Sequence, residues 1–473
     1  MSLEEKRKKL LNSLIGMPKL LHKPALWKAL ESLPQLYGND LVRWELDNLR
    51  NSILNAQTED ELDKIDIDPD HLEERLIVLI HEKADHSVHY AINAAGIILH
   101  TALGRSPLAA EAKEALMIAA TGYSTVAIDR ETGRRGNRHL HVEDLLCHLT
   151  GAEAAVCVNN NAAATIVLLN TMAAGKEVIV SRGQLVEIGG AFRIPDVMKR
   201  SGAEMVEVGT TNKTHLKDYK EAITENTGLL LRVHASNYLV TGFTSEVSVK
   251  EIADLAHEND LPMADDIGSG CLVDITEFGL PPEPMIQDSI KDGADLVCFS
   301  GDKMLGGPQC GILVGKKKYI DQIKKNPLVR AFRLDKLTYS ALEATLKLFL
   351  DKKVLFERHP VMNMMTRTAD EVGRKERSFL RKIKSCLEGK CEAKVIKGFS
   401  LMGSGSLPGR DIPSKLICLN PKDISFDELA YKLRKNDPPI FVRVSKEGVL
   451  LDFRTIFPDD VMHLVEAFKR IFG

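Results

Sequence analysis

One lysine, Lys303, lies between two short apolar runs of the sequence. Residues 296–299 form the first run, Ser300 and Asp302 come just before the lysine, and a glycine pair at 306–307 follows it. An amine at the end of a buried strand is partly desolvated, so it can be neutral and can attack a carbonyl carbon. A serine hydroxyl beside it can hold a phosphate group. The segment therefore predicts a lysine that forms a Schiff base, and the alternative is an ordinary solvated loop lysine.

A turn rich in asparagine follows the apolar run 154–158 and opens a helical pattern. It contains Asn160, Asn161 and Ala162, and small residues at such a turn leave backbone N–H groups free at the N-terminus of a helix. That position binds anions, so we expect it to hold a phosphate. A capping turn without a ligand is the alternative.

Two other apolar runs also end in polar residues. Asp265 and Asp266 follow the run 261–264, and His234 follows the run 229–233. A carboxylate at a strand end can keep a pyridine nitrogen protonated, which makes the ring of pyridoxal phosphate an electron sink. We assign that part to Asp266, while Asp265 could be a structural cap. His234 is a candidate contact to the ring oxygen or the substrate, or else a structural histidine.

Three arginines predict a second anion site. Arg105 lies in an early glycine-containing motif, and Arg330 and Arg333 are three residues apart, which places them on one face if their segment is helical. Their planar guanidinium groups suit phosphate-like oxyanions. The glycine-flanked basic loop 133–138 has similar potential. Solvent exposure is the default for any one arginine, so the prediction depends on all three together.

Composition limits the class of protein. The chain has 473 residues, 44% of them hydrophobic, and a formal charge of −3, which predicts a globular protein of more than one domain. Its eight cysteines form no Cys-x-x-Cys pair, and His139 and His141 have no cysteine or spaced carboxylate to complete a metal site, so we expect no metal. The first residues are charged and no apolar run approaches about 18 residues. We therefore expect a cytoplasmic protein that does not enter a membrane.

The pattern of the chain changes twice. Residues 1–80 have helical spacing of apolar residues and predict a small helical domain. Residues 81–350 alternate short apolar runs with helical stretches, which predicts an α/β domain with a mostly parallel, doubly wound sheet. Residues 351–473 predict a smaller α+β domain. Functional residues collect at the carboxyl ends of strands in such sheets, so we expect the polar residues described above to meet there.

Ten long motifs occur in order along the chain: NAAGIILHTALGRSPL, RRGNRHLHVEDLL, TGAEAAVCVNNNAAAT, VSRGQLVEIGGAFRIPDVM, VGTTNKTH, HASNY, DDIGSGCLVD, FSGDKMLGGPQCGILVGKK, PLVRAFRLDKLTYSALEATL and SGSLPGRDIPS. Together they resemble bacterial selenocysteine synthases, the L-seryl-tRNA(Sec) selenium transferases. These are fold-type I pyridoxal-phosphate enzymes, and the resemblance extends over nearly the whole chain.

The resemblance implies a role for each candidate residue. Lys303 forms the Schiff base with the cofactor, and Asp266 pairs with its pyridine nitrogen. The turn 159–164 and Ser300 surround its phosphate. The three arginines bind selenophosphate, and Asp302 helps to transfer a proton.

The resemblance also implies the reaction and the partners. The substrate is L-seryl-tRNA(Sec), from which β-elimination removes water to leave aminoacrylyl-tRNA, and selenium from selenophosphate then adds to it. Residues 1–80 take the tRNA-binding role of the family's N-terminal domain. The family's active sites lie at dimer interfaces within a ring of dimers, so a homo-oligomer is expected.

Two residues depart from the family pattern, Ala95 and Ala102, where threonine and asparagine are usual. Each departure removes a side-chain hydrogen-bonding group. The two departures reflect either lineage drift or a change in how the substrate is bound. Two other functions stay open: a related pyridoxal-phosphate lyase acting on a small amino compound, and a tRNA-binding pyridoxal-phosphate protein without turnover. The N-terminal domain argues against the first, and the retained Lys303, Asp266 and arginines argue against the second.

Overall fold

The computed structural model describes residues 2–188, 190 and 192–473. It divides into two compact units, one ending at Tyr90 and one from Ala91 to Gly473. The first unit is helical, and its buried aliphatic side chains form two apolar clusters. Its helices are α1 (Leu3–Ser13), α2 (Met17–Leu21), α3 (Pro24–Leu30), α4 (Gln35–Asn55), α5 (Glu59–Asp63) and α6 (Pro69–Ala84).

The second unit combines helices and strands. Its helices are α7 (Ala110–Thr121), α8 (Leu140–Thr150), α9 (Asn161–Ala173), α10 (Ile194–Ser201), α11 (Leu216–Ala222), α12 (Val249–Glu258), α13 (Ile286–Lys291), α14 (Lys317–Lys325), α15 (Pro327–Ala331), α16 (Lys336–Leu348), α17 (Lys352–Arg358), α18 (Pro360–Thr366), α19 (Ala369–Leu387), α20 (Phe426–Arg434) and α21 (Asp460–Phe472). Its strands are β1 (Ile92–Asn93), β2 (Ala154–Val158), β3 (Glu177–Ser181), β4 (Glu187–Ile188), β5 (Phe192–Arg193), β6 (Glu204–Val208), β7 (Thr227–Val233), β8 (Met263–Gly268), β9 (Leu296–Ser300), β10 (Gly311–Gly315), β11 (Cys391–Gly403), β12 (Ser406–Pro421), β13 (Ile440–Phe441), β14 (Arg443–Ser445) and β15 (Gly448–Leu451). Among the described residues, no helix is both long enough and apolar enough to cross a membrane.

Seven strands form the central sheet, in the order β2-β10-β9-β8-β7-β3-β6. β10 is antiparallel to both of its neighbours, and the other neighbouring pairs are parallel. The inner strands are buried because apolar side chains pack against both faces of the sheet. This arrangement confirms the predicted α/β fold with a mostly parallel sheet. The division of the chain into three domains stays a prediction.

The strand that carries the two adjacent aspartates is longer than its apolar residues predict. β8 continues to Gly268, so Asp265 and Asp266 lie within the strand rather than after it. Successive side chains of a strand point to opposite faces of the sheet. Asp265 accepts hydrogen bonds from Arg232 Nη1 at 2.9 Å and from Ser289 Oγ at 2.6 Å, which makes it a structural residue. Asp266 is left to face the other side.

A long hairpin belongs to a second sheet, of order β11-β12-β15-β14, and its tip reaches the central sheet. β11 and β12 are antiparallel, and Ser404 and Gly405 form their connection. Ser404 Oγ donates to the Leu99 carbonyl oxygen at 2.6 Å. A Cβ atom on Gly405 would lie 3.1 Å from Ser236 Oγ, and Gly405 has φ +72°, so the tip packs closely against the strand ends.

Candidate active site

A cavity of about 250 Å³ lies at the carboxyl ends of β2, β7, β8 and β9. Parallel strands bring these ends to one edge of a sheet, which is why residues distant in sequence meet here. Phe192 and Gln309 also line the cavity, and neither was predicted from the sequence. The only sequence feature that could have indicated Gln309 is its place in the same glycine-rich segment as Lys303. Nine of the eleven predicted site residues line the cavity: Arg105, Asn160, Asn161, Ala162, His234, Asp266, Ser300, Asp302 and Lys303.

Lys303 lies in the turn that follows β9 and is only 5% exposed. Two backbone hydrogen bonds fix this turn: Met304 N donates to Ser269 O, and Gly306 N donates to Lys303 O, both at 2.9 Å. Burial lowers the pKa of the Lys303 amine, and the nearby carboxylate of Asp266 opposes this effect only in part. A larger fraction of the amine is therefore neutral at a given pH, as a nucleophile requires.

Asp266 is held by helix α9. Asn161 Nδ2 donates to Asp266 Oδ1 at 2.9 Å, and Thr165 Oγ1 donates to Asp266 Oδ2 at 3.1 Å. Burial raises the pKa of Asp266, against the effect of these two donors. Sequence reasoning missed Thr165, although it lies four residues after Asn161 and hence on the same face of a helix. The two donors fix a buried carboxylate in the wall of the cavity that contains Lys303.

Helix α9 begins at the asparagine turn, as the sequence predicts. Asn160 caps the helix, because its Oδ1 accepts a hydrogen bond from Ala163 N at 2.8 Å. The N–H groups of Asn161 and Ala162 belong to the first turn, where a helix has no internal acceptors for them. Ser300, at the end of β9, lines the same cavity. This set of donors suits a phosphate group.

His234 directly follows β7 and lines the cavity. Burial lowers its pKa to about 4, so the imidazole is neutral near pH 7. Its Nε2 atom is buried and has no hydrogen-bond partner among the described residues. A neutral imidazole with a free ring nitrogen suits a contact to a hydroxyl group of a ligand.

Arg105 and Asp302 form an ion pair at the edge of the cavity. Arg105 Nη1 lies 2.7 Å from Asp302 Oδ2, and the Asp302 carboxylate is almost fully buried. Arg105 follows Gly104 and itself has φ +62°, a left-handed conformation that is uncommon for residues other than glycine. The structure therefore places one predicted anion-binding arginine next to the acidic neighbour of Lys303.

Arg330 and Arg333 do not line this cavity, and the condition for a shared helical face, that their segment is helical throughout, is not met. Helix α15 ends at Ala331, so Arg333 lies beyond it. Phe332 O accepts a hydrogen bond from Asn159 N at 2.9 Å, which fixes the chain after the helix. Within this chain, Arg330 and Arg333 instead line a separate cavity of about 440 Å³. Four other cationic residues line it with them: Arg135, Arg138, Lys324 and Lys325.

The turn after Lys303 gives a prediction about stability. Gly306 has φ +66°, and a Cβ atom there would lie 2.0 Å from His359 Cε1, so both conformation and space exclude a side chain. We expect Gly306→Ala to lower the free energy of unfolding by about 3 kcal/mol. Gly104→Ala is the matched control, because Gly104 has φ +84° but no described atom within 4 Å of the added Cβ. Gly104→Ala should lower the free energy of unfolding by about 1 kcal/mol, because only the backbone conformation is unfavourable there. Equal losses in denaturant unfolding would contradict the steric argument.

The fold and the site together define a class of protein. A mostly parallel sheet with a buried lysine, a buried aspartate and a helix N-terminus at its carboxyl edge is the architecture of the fold-type I pyridoxal-phosphate-dependent enzymes. The solved structure of D-glucosaminate-6-phosphate ammonia-lyase has this fold in common with the chain. The TM-score is 0.57 at 20% sequence identity, over 83% of this chain and 97% of that one.

Sequence comparison gives the family. Residues 91–457 match the model of SelA, L-seryl-tRNA selenium transferase. The L-seryl-tRNA(Sec) selenium transferase of Alkaliphilus oremlandii (strain OhILAs) is 44% identical over 463 residues, which cover 98% of this chain and 99% of that protein. The enzyme of the same name from Clostridium botulinum (strain Okra / Type B1) is 45% identical over 465 residues, with 98% and 99% covered. The chain belongs to the L-seryl-tRNA selenium transferase family.

Proposed function

We propose that this protein converts L-seryl-tRNA(Sec) to L-selenocysteinyl-tRNA(Sec), with pyridoxal 5′-phosphate as cofactor and selenophosphate as selenium donor. The observation that carries the proposal is the buried Lys303 in one cavity with the buried Asp266, in a chain of this family. When bound, the cofactor supplies an electron sink for loss of the serine Cα proton and hydroxyl group.

The residues of the cavity fit this cofactor. Asn161 Oδ1 and His234 Nε2 are buried without hydrogen-bond partners among the described residues, so the cavity has unsatisfied polar groups for a ligand. Lys303 is assigned to covalent attachment, Asp266 to the pyridine nitrogen and His234 to the ring oxygen. The phosphate is assigned to the donors at the start of α9 and the end of β9: Asn160, Asn161, Ala162 and Ser300.

Lys303 also moves protons in this proposal. Its lowered pKa favours the neutral amine, which can take the proton from the serine Cα. The Asp266 carboxylate, oriented by Asn161 and Thr165, stabilises positive charge on the ring nitrogen. Hydroxide is a poor leaving group, so the serine hydroxyl must receive a proton as it departs. Either Lys303, protonated by the Cα proton that it has taken, supplies that proton, or Asp302 supplies it after its carboxylate has bound a proton from solvent.

Arg105 is assigned to selenophosphate. Its guanidinium group can bind an oxyanion through two parallel hydrogen bonds, and its ion pair with Asp302 places that anion beside the proposed acid. Arg330 and Arg333 are assigned to the same anion, although within one chain they line the separate cavity. We therefore include a homo-oligomer in the proposal, in which a second copy of the chain brings this arginine pair to the Lys303 cavity.

Residues 1–80 are assigned to binding the tRNA. Their helices expose the rings of Trp27 and Trp44, which are 54% and 55% exposed. Exposed aromatic rings can stack on nucleic-acid bases. Residues 1–50 also carry nine Lys and Arg against six Asp and Glu, and a local basic surface can bind phosphates on a protein whose total charge is −3.

A single assay tests the proposed function. Purified protein loaded with pyridoxal 5′-phosphate is supplied with selenophosphate and seryl-tRNA(Sec), and the aminoacyl group on the tRNA is identified by mass spectrometry. We expect selenocysteinyl-tRNA(Sec), and no such product from the control, seryl-tRNA(Ser). Turnover of a free amino compound without selenocysteinyl-tRNA would favour the lyase instead. Binding of tRNA and cofactor without any product would favour the protein that lacks turnover.

A further inference from the structure

A second cavity, of about 210 Å³, lies beside the Lys303 cavity, and we call it the hydroxyl-lined cavity because Ser181, Thr214 and Tyr219 are among its lining residues. Val233 and His234 line both cavities, so the two share a wall. The loop 210–214 forms one side, and Leu407 and Arg410, just after the tip of the β11–β12 hairpin, form another. The cavity lies at the carboxyl edge of the sheet, where open α/β folds bind ligands.

The interior of the hydroxyl-lined cavity contains buried polar atoms that lack good partners. Tyr219 is 1% exposed, and its Oη lies near the Ser181 main chain without a hydrogen bond of acceptable geometry. Glu283 Oε2 accepts a hydrogen bond from Leu407 N at 3.3 Å, but among the described residues its buried Oε1 has only the Ser269 hydroxyl nearby, without a hydrogen bond of acceptable geometry. Buried polar groups without partners are costly. These atoms therefore suit a ligand with both hydrogen-bond donors and acceptors.

The more exposed residues of this cavity have a different character. Lys213 and Arg410 are exposed cations, and Glu246 is the exposed carboxylate among the lining residues. Ammonium and guanidinium groups suit a phosphate diester. Pro282 and Pro284 line the cavity as well and offer apolar surface against which a flat ring can pack. A phosphate, a polar sugar and a planar base, as in one nucleotide, match these three kinds of surface.

The substrate of the proposed function, seryl-tRNA, identifies the nucleotide that would occupy the hydroxyl-lined cavity. In seryl-tRNA the serine carboxyl carbon is esterified to the ribose of the 3′-terminal adenosine. The serine Cα must lie at Lys303 to react, so that ribose lies only a few covalent bonds from the Lys303 cavity. The hydroxyl-lined cavity adjoins it directly through Val233 and His234. We infer that the hydroxyl-lined cavity binds the 3′-terminal adenylate of the aminoacyl-tRNA, an inference that rests on the proposed function.

A comparison of two RNAs tests the inference on the full-length, cofactor-loaded protein. Uncharged tRNA(Sec) with its complete CCA end and the same tRNA without the terminal adenosine are each titrated by fluorescence anisotropy. The ratio of their dissociation constants isolates the terminal nucleotide, because all other RNA contacts cancel. We expect a ratio of about ten or more in the unchanged protein. Tyr219→Phe and Arg410→Ala should each bring the ratio toward one.

Lys394→Ala is the matched control, since Lys394 is an exposed cation on the same hairpin but outside the hydroxyl-lined cavity. It should leave the ratio unchanged. Adenosine monophosphate as a competitor should weaken binding of the complete tRNA and not of the truncated one.

Equal affinity of the unchanged protein for both RNAs, or an unchanged ratio in both cavity variants, overturns the inference and leaves the proposed function standing. Adenosine monophosphate that binds without competing would place a free nucleotide here instead. Failure to bind either RNA would overturn the proposed function and this inference with it.

Discussion

Lys303→Ala should abolish selenium transfer, with a fall in turnover of about a thousandfold or more. The variant loses both the amine that attaches the cofactor and the base that we assign to the Cα proton. It should also lose the visible absorbance that a lysine-bound cofactor gives. Removal of the charge should not itself destabilise the protein, because burial lowers the Lys303 pKa and thus penalises the charged form in the folded protein. The melting temperatures of the variant and the unchanged protein are compared without cofactor, because loss of a bound cofactor lowers the melting temperature even when the variant folds correctly.

Lys317→Ala provides the control for this variant. Lys317 is exposed at the start of α14 and pairs only with Asp321 on the same helix among the described ion pairs. It should leave turnover and the absorbance of the bound cofactor unchanged. Turnover by Lys303→Ala at a rate near that of the unchanged protein would refute the assignment of Lys303.

Asp266→Asn should lower turnover by about a hundredfold or more while the cofactor stays attached to Lys303. An amide cannot hold the proton of the ring nitrogen as a carboxylate does, so the ring becomes a weaker electron sink. The visible absorbance should therefore persist although activity is lost, which separates this variant from Lys303→Ala. Full activity in Asp266→Asn would contradict the assignment.

The neighbouring residue offers a contrast on the same strand. Asp265→Asn leaves the guanidinium group of Arg232, a side chain that is only 15% exposed, without the charged partner that it contacts at 2.9 Å. We expect a loss of about 3 kcal/mol in the free energy of unfolding. Asp265→Asn should thus act mainly on stability and Asp266→Asn mainly on turnover, as measured by parallel unfolding and activity assays.

Much of the sheet could be predicted because its inner strands are short apolar runs that helices bury on both faces. Once the runs are arranged in a parallel sheet, their carboxyl ends must meet, and this places Lys303, His234 and the asparagine turn in one site. The extent of β8 was not predicted, since aspartates are uncommon in strands. Asp265 and Asp266 are tolerated there because partners from other elements satisfy each carboxylate.

The parts of the site that were missed depend on contacts between distant segments. Thr165 supports Asp266 only after α9 has packed against the central sheet, and its helical spacing from Asn161 is the only sign of this role in the sequence. Arg330 and Arg333 were expected to share a helical face only if their segment is helical, and nothing local indicates that α15 ends at Ala331. The sequence predicted no role for Glu283, because its contact with Leu407 joins positions far apart in the chain.

The contact between the hairpin tip and the N-terminal side of the α/β unit has a consequence for folding. Ser404 Oγ and the Leu99 carbonyl oxygen belong to residues 305 positions apart. Contacts of such long range require a large loop to close before they stabilise anything, so they form late. The hydroxyl-lined cavity has residues of this hairpin in its wall, so it is complete only when the hairpin has docked. Only a chain that has folded through nearly its whole length presents both cavities together.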